Sequence, residues 1–271
     1  MHFSDNLISW YKQNKRDLPW RNTTNPYHIW LSEIILQQTR VNQGLSYYYK
    51  FIEHFPTVND LANASEQQVL KLWQGLGYYS RARNLHATAK IITKEYKGVF
   101  PDDYTRILSL KGIGEYTAAA IASFAYQLPY PVVDGNVFRV LSRIYGIDTP
   151  IDTPAGKKTF YALANELINK KQAALHNQAI MEFGALVCTP KNPNCESCIF
   201  NNSCTALANK QIDLLPIKSK KIKQTNRYFN YLIINTDNSE TFIAERKNSD
   251  IWKGLYDFPL VETLEKISSF N

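Results

Sequence analysis

The sequence predicts a mainly α-helical protein with a short β-rich segment at its end. Up to about residue 210, apolar residues recur at intervals of three and four, the period of an amphipathic helix. All four cysteines fall within one short, proline-containing stretch. After about residue 227, the runs YFNYLIIN and TFIAERK, with the polar turn TDNSE between them, predict two strands and a hairpin. LYDFPLVE predicts a third strand.

Composition sets broad limits on function. The chain has 271 residues, of which 44% are apolar, enough for a sizeable core. Its 31 Lys and Arg against 24 Asp and Glu give a net charge of +7, which is compatible with a polyanionic partner. No stretch has the roughly 20 apolar residues of a membrane span. The first residues do not have the pattern of a secretory signal. We therefore expect a cytoplasmic protein without a membrane partner.

Seven segments with helical period follow each other along the first 170 residues, separated by Pro and Gly. They are FSDNLISWY, VNQGLSYYYKFIEHF, ASEQQVLKLW, RNLHATAKIITKEY, TAAAIASFAY, VFRVLSRIYGI and GKKTFYALANELI. Ser4, Ser65 and Asp102 stand where helix N-caps are expected, and Gln68 is placed to complete a capping box with Ser65.

Two glycines join two of the predicted helices. In LKGIGEYTAAAIASFA, Gly112 and Gly114 link the short candidate helix DDYTRILSL to the next helix. Glycines permit a tight turn and a close approach to a ligand, and the following helix N-terminus suits a phosphate. An ordinary helix–helix turn has the same pattern and remains an alternative.

Two carboxylates occupy unlike surroundings. Glu33 lies in the apolar helix WLSEIILQQTRV, where burial would raise its pKa and leave a neutral acid that can donate a proton. Alternatively, Arg21 or Arg40 could pair with it as an ordinary ion pair. Asp134, in VVDGNVFRVLSR, precedes a predicted helix whose dipole favours the ionised form, although it could be only a cap. Two such carboxylates can divide acid and base roles.

The cysteines predict a metal site. Cys188, Cys195, Cys198 and Cys204 have the spacing C-x6-C-x2-C-x5-C. Disulfides are disfavoured if the protein is intracellular. The spacing does not exclude zinc, and four thiolates also suit an iron–sulfur cluster.

Several of these motifs resemble one family of DNA repair enzymes. The cysteine spacing is similar to that of the 4Fe–4S loop of the endonuclease III and MutY families of DNA glycosylases, and the Gly112–Gly114 turn resembles their helix-hairpin-helix. The segments RDLPWR, SEIILQQTRV and GLGYYSRARNL resemble the MutY adenine glycosylase family, and the match covers nearly all of residues 1–206. The resemblance implies a two-lobed helical fold, a hairpin at residues 102–126 and a 4Fe–4S cluster on the loop 188–204.

The resemblance also implies a reaction and a partner. The expected reaction is hydrolysis of the N-glycosidic bond of an adenine that is flipped out of double-stranded DNA, where it lies opposite 8-oxoguanine or guanine. Glu33 would protonate the departing base and Asp134 would stabilise the positive sugar, as in glycoside hydrolysis. We expect a monomer.

The implied adenine pocket comprises Arg16, Leu18, Trp20, Arg21, Leu36 and Gln178. The implied DNA contacts are Gln38, Thr39, Leu76, Tyr78, Gly112, Gly114 and Asn136. Core packing is the alternative for Trp20 and Tyr78.

One position separates two related activities. Endonuclease III relatives carry a lysine two residues after the second hairpin glycine, which forms a Schiff base and permits strand cleavage. This chain has Tyr116 there, which we count as a third catalytic position and which predicts a monofunctional glycosylase. A bifunctional glycosylase–lyase for oxidised pyrimidines and a non-catalytic DNA-binding or redox-sensing module are the alternatives.

The sequence predicts three parts in order. Residues 1–208 form the helical glycosylase domain, residues 209–227 a basic linker and residues 228–271 a partial C-terminal domain. In the last part, WKGLYDFPLVE resembles a segment of the Nudix-like MutY C-terminal domain, which helps to recognise 8-oxoguanine. Because that domain normally continues further, we expect weaker mismatch discrimination. The acidic Nudix hydrolase motif is missing, so we expect no nucleotide pyrophosphatase activity.

Overall fold

The chain is mainly helical, which confirms the predicted fold class. A computed structural model describes residues 3–219, 225–247 and 252–267. The chain divides into two compact units, Met1–Leu76 with Arg81–Lys220 and Gly77–Ser80 with Lys221–Asn271. Among the described residues, none of the helices is both long and apolar enough to span a bilayer.

Twelve α-helices lie in the described ranges, with short 3₁₀ helices at Pro19–Arg21 and Asn201–Ser203. The first six are α1 (Phe3–Asn14), α2 (Pro26–Leu36), α3 (Val41–His54), α4 (Val58–Asn63), α5 (Glu66–Trp73) and α6 (Tyr79–Glu95). The others are α7 (Tyr104–Ser109), α8 (Glu115–Tyr126), α9 (Gly135–Tyr145), α10 (Pro154–Leu167), α11 (Ala173–Leu186) and α12 (Thr205–Ala208).

Of the three predicted N-caps, Ser65 is confirmed, and Ser4 and Asp102 are not. Ser65 caps α5 and forms the expected capping box with Gln68. Ser4 lies inside α1, and its hydroxyl is 2.7 Å from Nδ1 of His176. Asp103 caps α7 instead of Asp102, because Asp103 is the residue whose carboxylate reaches the backbone N–H of Arg106.

The first unit contains two groups of packed helices. In one group α2 packs on α3 and α8, and α7 packs on α8. In the other, α11 packs on α1 and α9, and α9 also contacts α12. Buried side chains that include Tyr11, Phe160 and Phe183 form the core of the second group. The two groups meet where α8 packs against α11, and this junction brings residues far apart in sequence together.

The helix-hairpin-helix consists of α7, a turn and α8. Gly112 has a φ of 75°, and a Cβ atom there would lie 2.7 Å from Cβ of Asn84 on α6. Gly114 is the N-cap of α8, and nothing lies within 4 Å of an added Cβ. Gly112 therefore serves the packing of α6, whereas the backbone at Gly114 is open to a ligand.

The middle of the predicted linker packs against the helical unit. Leu215 is buried, and the N–H of Ile151 donates to the carbonyl oxygen of Ile217 over 3.0 Å. Ser219 donates its backbone N–H to the carboxylate of Asp152 at 2.8 Å. The segment from Leu215 to Ser219 thus belongs structurally to the first unit.

The second unit contains short antiparallel strands. Strand β1 (Tyr228–Tyr231) pairs with β4 (Leu260–Thr263), and β2 (Ala244–Glu245) pairs with β3 (Tyr256–Asp257). The predicted hairpin between the first two runs is reduced to one bridge between Asn235 and Thr241. The predicted strand LYDFPLVE is divided, because Pro259 lacks the N–H that a continuous strand needs.

Candidate active site

One cavity in the helical unit collects most of the predicted site residues. Its volume is about 230 Å³. The predicted residues that line it are Arg16, Leu18, Trp20, Arg21, Glu33, Leu36, Thr39, Tyr116, Asp134, Asn136 and Gln178. Ile29, Ser32, Val41, Phe124, Met181, Glu182 and Ala185 complete its wall. The cavity lies where helices α2, α8, α9 and α11 approach each other.

Glu33 is the buried acid of this cavity. It lies on α2, its residue is 8% exposed, and its Oε2 accepts a hydrogen bond from the Tyr116 hydroxyl at 2.8 Å. Burial raises the pKa of Glu33 to about 7, the charge of Asp134 adds to this increase, and the Tyr116 hydrogen bond opposes it. A substantial fraction of Glu33 is therefore protonated at neutral pH.

Tyr116 on α8 also lines the cavity and contacts Glu33. Its hydroxyl donates to Glu33 and lies 3.8 Å from Sδ of Met181. Burial and the nearby carboxylates Glu33 and Asp134 raise its pKa well above the usual range. The phenol therefore remains a hydrogen-bond donor at neutral pH.

Asp134 is the N-cap of helix α9 and lines the same cavity as Glu33. Its carboxylate accepts the backbone N–H of Val137 at 2.8 Å and the side-chain N–H of Asn136 at 2.7 Å. Burial raises the pKa of Asp134 above its usual range, and these hydrogen bonds oppose the increase. The sequence correctly places Asp134 at a helix N-terminus, but burial raises its pKa despite these hydrogen bonds.

A chain of hydrogen bonds connects Asp134 to the cysteine loop. Arg139 donates from Nη2 to Oδ1 of Asn136 at 2.8 Å, which fixes the amide so that its N–H points to Asp134. The same guanidinium donates from Nε to the carbonyl oxygen of Cys188 at 2.6 Å. Sequence reasoning missed Arg139, because its partners Cys188 and Gly184 lie far along the chain from α9.

Glu182 is a second buried carboxylate that sequence reasoning missed. Its side chain is fully buried and accepts paired hydrogen bonds from Arg16 and Arg21 at 2.6–2.9 Å. Burial alone would raise its pKa, but the two guanidinium groups lower it to about 2. Arg21, considered above as an ion-pair partner of Glu33, instead pairs with Glu182.

Replacing Glu182 with glutamine is expected to destabilise the fold by about 3 kcal/mol at pH 7, because it leaves two guanidinium groups without their buried counter-charge. The folded pKa lies below the unfolded value of 4.5, so this stabilisation is present above pH 4.5 and is lost as the pH falls through about 2. Urea unfolding at pH 7 measures the loss. Glu66→Gln breaks a surface ion pair with Arg83 and should cost less than about 1 kcal/mol. Equal losses in both variants would contradict a special role for the buried pair.

The remaining predicted DNA contacts lie outside the cavity. Gln38 follows α2 with a φ of 55°, and Tyr78 has a φ of 47° and is largely exposed. Leu76 is buried, whereas a side chain that contacts DNA is expected to be exposed. It lies between Gly75 and Gly77, which both have positive φ. Gly112 and Gly114 lie in the hairpin described above.

Arg81, which sequence reasoning also missed, is hydrogen-bonded to the segments that contain Gln38 and Leu76. Its Nη1 donates to the carbonyl oxygens of Ile34 and Gln37 at 2.8 and 2.6 Å, at the end of α2. Its Nη2 lies 3.3 Å from the carbonyl oxygen of Leu76. The guanidinium therefore joins the turn that carries Gln38 to the backbone of Leu76.

The four cysteines surround one small, apolar cavity. Cys188, Cys195, Cys198 and Cys204 all line it, together with apolar side chains such as Ile144 and Phe183. No disulfide joins them, and all four are partly buried. In residues 3–219, 225–247 and 252–267, no group of three or more His, Cys, Asp or Glu side chains is arranged to hold a single metal ion.

Arg143 fixes this loop from inside the helical unit. It is 2% exposed and donates to the carbonyl oxygen of Thr189 at 2.7 Å and to that of Leu215 at 3.1 Å. Its Nη1 lies 3.6 Å from Sγ of Cys188. One buried side chain therefore connects α9, the cysteine loop and the segment that follows it.

Comparisons with known proteins identify the family. Residues 31–169 match the model of the HhH-GPD superfamily base excision DNA repair proteins. The chain is 36% identical to an adenine DNA glycosylase of Buchnera aphidicola from Acyrthosiphon pisum, over 97% of this chain and 75% of that protein. It is 41% identical to the adenine DNA glycosylase of Homo sapiens, over 75% of this chain and 39% of that protein. A solved thermostable thymine-DNA glycosylase superposes with a TM-score of 0.71 at 28% identity, over 76% of this chain and 95% of that one. The chain therefore belongs to the HhH-GPD superfamily of base excision DNA repair proteins, and within it to the family of the adenine DNA glycosylases.

Proposed function

We propose that this protein removes adenine from mispaired DNA by hydrolysis of its N-glycosidic bond. The observation that supports this most directly is the cavity whose wall contains both Glu33 and Asp134. The pKa of Glu33 near 7 suits an acid that gives up a proton and takes it back at neutral pH. The name of the related proteins from Buchnera aphidicola and Homo sapiens indicates adenine as the base.

The two carboxylates perform different steps in this proposal. Glu33 transfers its proton to N7 of adenine as the bond between the base and C1′ of the sugar breaks. Asp134 stabilises the positive charge that develops on the sugar, and that charge in turn favours the ionised form of Asp134. Water then adds to C1′ and returns a proton to Glu33. Tyr116 keeps the acid in place through its hydrogen bond.

Access to the cavity requires that the nucleotide leave the duplex. In our proposal Gln38, Leu76 and Tyr78 contact the DNA from which the base departs, and the hairpin with its open Gly114 holds a backbone phosphate. Leu76 must then become exposed on binding, because it is buried in the free protein. The adenine lies opposite 8-oxoguanine or guanine, and the protein acts as a monomer in the cytoplasm.

The proposed activity is tested with duplexes that carry adenine opposite 8-oxoguanine, guanine or thymine. After incubation, alkali cleaves the strand wherever a base has been released. We expect strand cleavage after alkali with the first two duplexes, and more slowly or not at all with thymine. Failure to release adenine from any of them would refute the proposal.

We expect no strand cleavage without alkali. A lyase needs an amine that attacks the sugar, and no lysine occurs among the described residues that line the cavity. Position 116, where endonuclease III relatives carry that lysine, is a tyrosine. Borohydride added during turnover should therefore trap no stoichiometric adduct between the protein and DNA. A trapped adduct in proportion to the protein would show that the enzyme is bifunctional.

We propose that the four cysteines hold a 4Fe–4S cluster. Their thiolates are suitable ligands, and all four line the same cavity on the loop 188–204. Such a cluster would link four points of the loop and so hold in place the Cys188 carbonyl that Arg139 contacts.

Replacing Cys198 with serine is expected to lower the iron and sulfide content of the purified protein and its melting temperature. Elemental analysis together with thermal unfolding measures both effects. Ser203→Ala, on the same loop but without a thiol, is the control. Full iron content in the Cys198 variant, or zinc in place of iron in the unmodified protein, would contradict the cluster.

We propose, in addition, that the chain is organised as a catalytic helical domain (1–208), a linker (209–227) and a partial Nudix-like domain (228–271). The boundary between the two compact units follows Lys220, which supports a domain boundary within this linker. The antiparallel strands after residue 227 support a separate fold for the last part.

A further inference from the structure

A buried tyrosine outside the cavity is hydrogen-bonded to a side chain that lines it. Tyr11 lies on α1, is 1% exposed, and does not line the cavity. Its hydroxyl donates to Oε1 of Gln178 at 2.7 Å. Gln178 lies on α11, is partly exposed and lines the cavity. The packing of α1 against α11 thus connects the first helix to the wall of the proposed base pocket.

This hydrogen bond determines which end of the Gln178 amide faces Tyr11. A buried hydroxyl needs an acceptor for its proton, and in the described part of the chain Gln178 is the acceptor that the Tyr11 hydroxyl has. If the amide were turned over, its N–H could donate to the phenolic oxygen, but the buried Tyr11 proton would then have no acceptor among the described residues. The oxygen end therefore faces Tyr11. The amide nitrogen is then left for the cavity, and it has no hydrogen-bond partner among the described residues.

An N–H group at this point distinguishes purines from one another. N1 of adenine accepts a hydrogen bond, whereas N1 of guanine and hypoxanthine carries a hydrogen and donates. N7 accepts in all three bases, so the selection requires that the N–H meet N1. If the amide could turn over, its oxygen would face the cavity and would accept a hydrogen bond from such a donor. A fixed amide therefore favours adenine, and a freely rotating one is less selective.

We propose that Tyr11 is a positioning residue for base selection, because it holds the Gln178 oxygen and leaves the Gln178 N–H to meet N1 of adenine. This inference rests on the proposed function of the cavity. Tyr11 also packs its ring 5.7 Å from the guanidinium carbon of Arg21, which pairs with Glu182. Both interactions are made by the same side chain, but only the hydroxyl acts on Gln178.

Tyr11→Phe tests the proposal, because it removes the hydroxyl and preserves the ring and its contact with Arg21. Single-turnover release of adenine and of hypoxanthine is measured in otherwise identical duplexes. We expect the ratio of adenine to hypoxanthine release to fall about fivefold, the factor that one neutral hydrogen bond contributes. The pH at which adenine release declines should not change, because Glu33 is untouched.

Two further variants separate positioning from a general loss of structure. Tyr27→Phe removes another buried hydroxyl, which donates to the carbonyl oxygen of Phe55 away from the cavity, and should leave the ratio unchanged. In a Gln178→Ala background, Tyr11→Phe should cause no additional change in the ratio.

The outcomes distinguish this inference from the proposed function. An unchanged ratio in Tyr11→Phe, or an equal change in Tyr27→Phe, overturns the inference while adenine release by the unmodified protein still supports the function. Independent, additive effects of Tyr11→Phe and Gln178→Ala overturn it as well. If the unmodified protein releases no adenine, the proposed function itself is refuted.

Discussion

Glu33→Gln is expected to reduce adenine release by at least about a hundredfold, because the variant has no proton to give to the departing base. Glutamine keeps the size of the side chain and can still accept the hydrogen bond from Tyr116. Binding to a duplex that contains the mispair should therefore be retained. Single-turnover kinetics and a binding titration with the same duplex measure the two effects separately.

The pH dependence of the unmodified protein provides a second test of the same acid. Since the pKa of Glu33 is about 7, its protonated form decreases as the pH rises through 7. Adenine release should accordingly fall by about tenfold for each pH unit well above 7. This decline should be absent from the small residual activity of Glu33→Gln. The same decline in both proteins would assign it to another group.

The Glu33→Gln substitution should affect stability in the opposite direction from activity. The pKa of Glu33 in the folded protein lies above its unfolded value of 4.5, so its contribution to stability is complete below pH 4.5 and is lost as the pH rises through about 7. The total loss is about 3 kcal/mol. Glu33→Gln avoids the cost of an ionised, buried carboxylate and should unfold at higher urea than the unmodified protein at pH 8.

A matched variant shows that the loss of activity is specific. Glu53→Gln changes an exposed glutamate on α3, and neither its rate of adenine release nor its pH profile should differ from those of the unmodified protein. A Glu33→Gln protein that is more stable at pH 8 but inactive would separate catalysis from folding. Full activity of that variant would remove Glu33 from the mechanism.

The sequence predicts those features that depend on local patterns. The helices follow from the apolar period, and the capping box of Ser65 follows from two residues three positions apart. The string around Glu33 and the residues around Asp134 indicated two carboxylates, and both line one cavity in the structure, although their roles remain predictions.

Features that depend on distant contacts could not be predicted in the same way. Glu182 lies 161 residues from Arg21 along the chain, in an apolar helix whose sequence marks no partner for it. The same holds for Tyr11 and Gln178, which are 167 residues apart. Their pairing results from the packing of α1 and the 3₁₀ helix at Pro19–Arg21 on α11, and no local period encodes that packing. The strand partners in the second unit were missed for the same reason, since β1 pairs with β4.

Asp134→Asn is expected to reduce adenine release by about a hundredfold to a thousandfold, because it removes the negative charge that stabilises the developing positive sugar. Asparagine is as good an N-cap as aspartate, so α9 should retain its start. Iron content, melting temperature and affinity for DNA should change little. Asp103→Asn, which alters the cap of α7 in the same way outside the cavity, should release adenine at the normal rate.

Asp134→Asn changes a local hydrogen bond as well as the charge at position 134, and the two effects on the rate must be measured separately. Arg139 holds Oδ1 of Asn136, so the N–H of Asn136 continues to point at position 134 and meets an N–H of the new amide. This contact costs about 1 kcal/mol, or about fivefold in rate. Asn136→Ala removes the same hydrogen bond and leaves the carboxylate in place. Because it also removes a side chain that lines the cavity and accepts from Arg139, its loss of rate sets an upper limit on that cost. A larger loss in Asp134→Asn than in Asn136→Ala would be due to the charge, whereas equal losses would mean that Asp134 acts only through the geometry of the helix start.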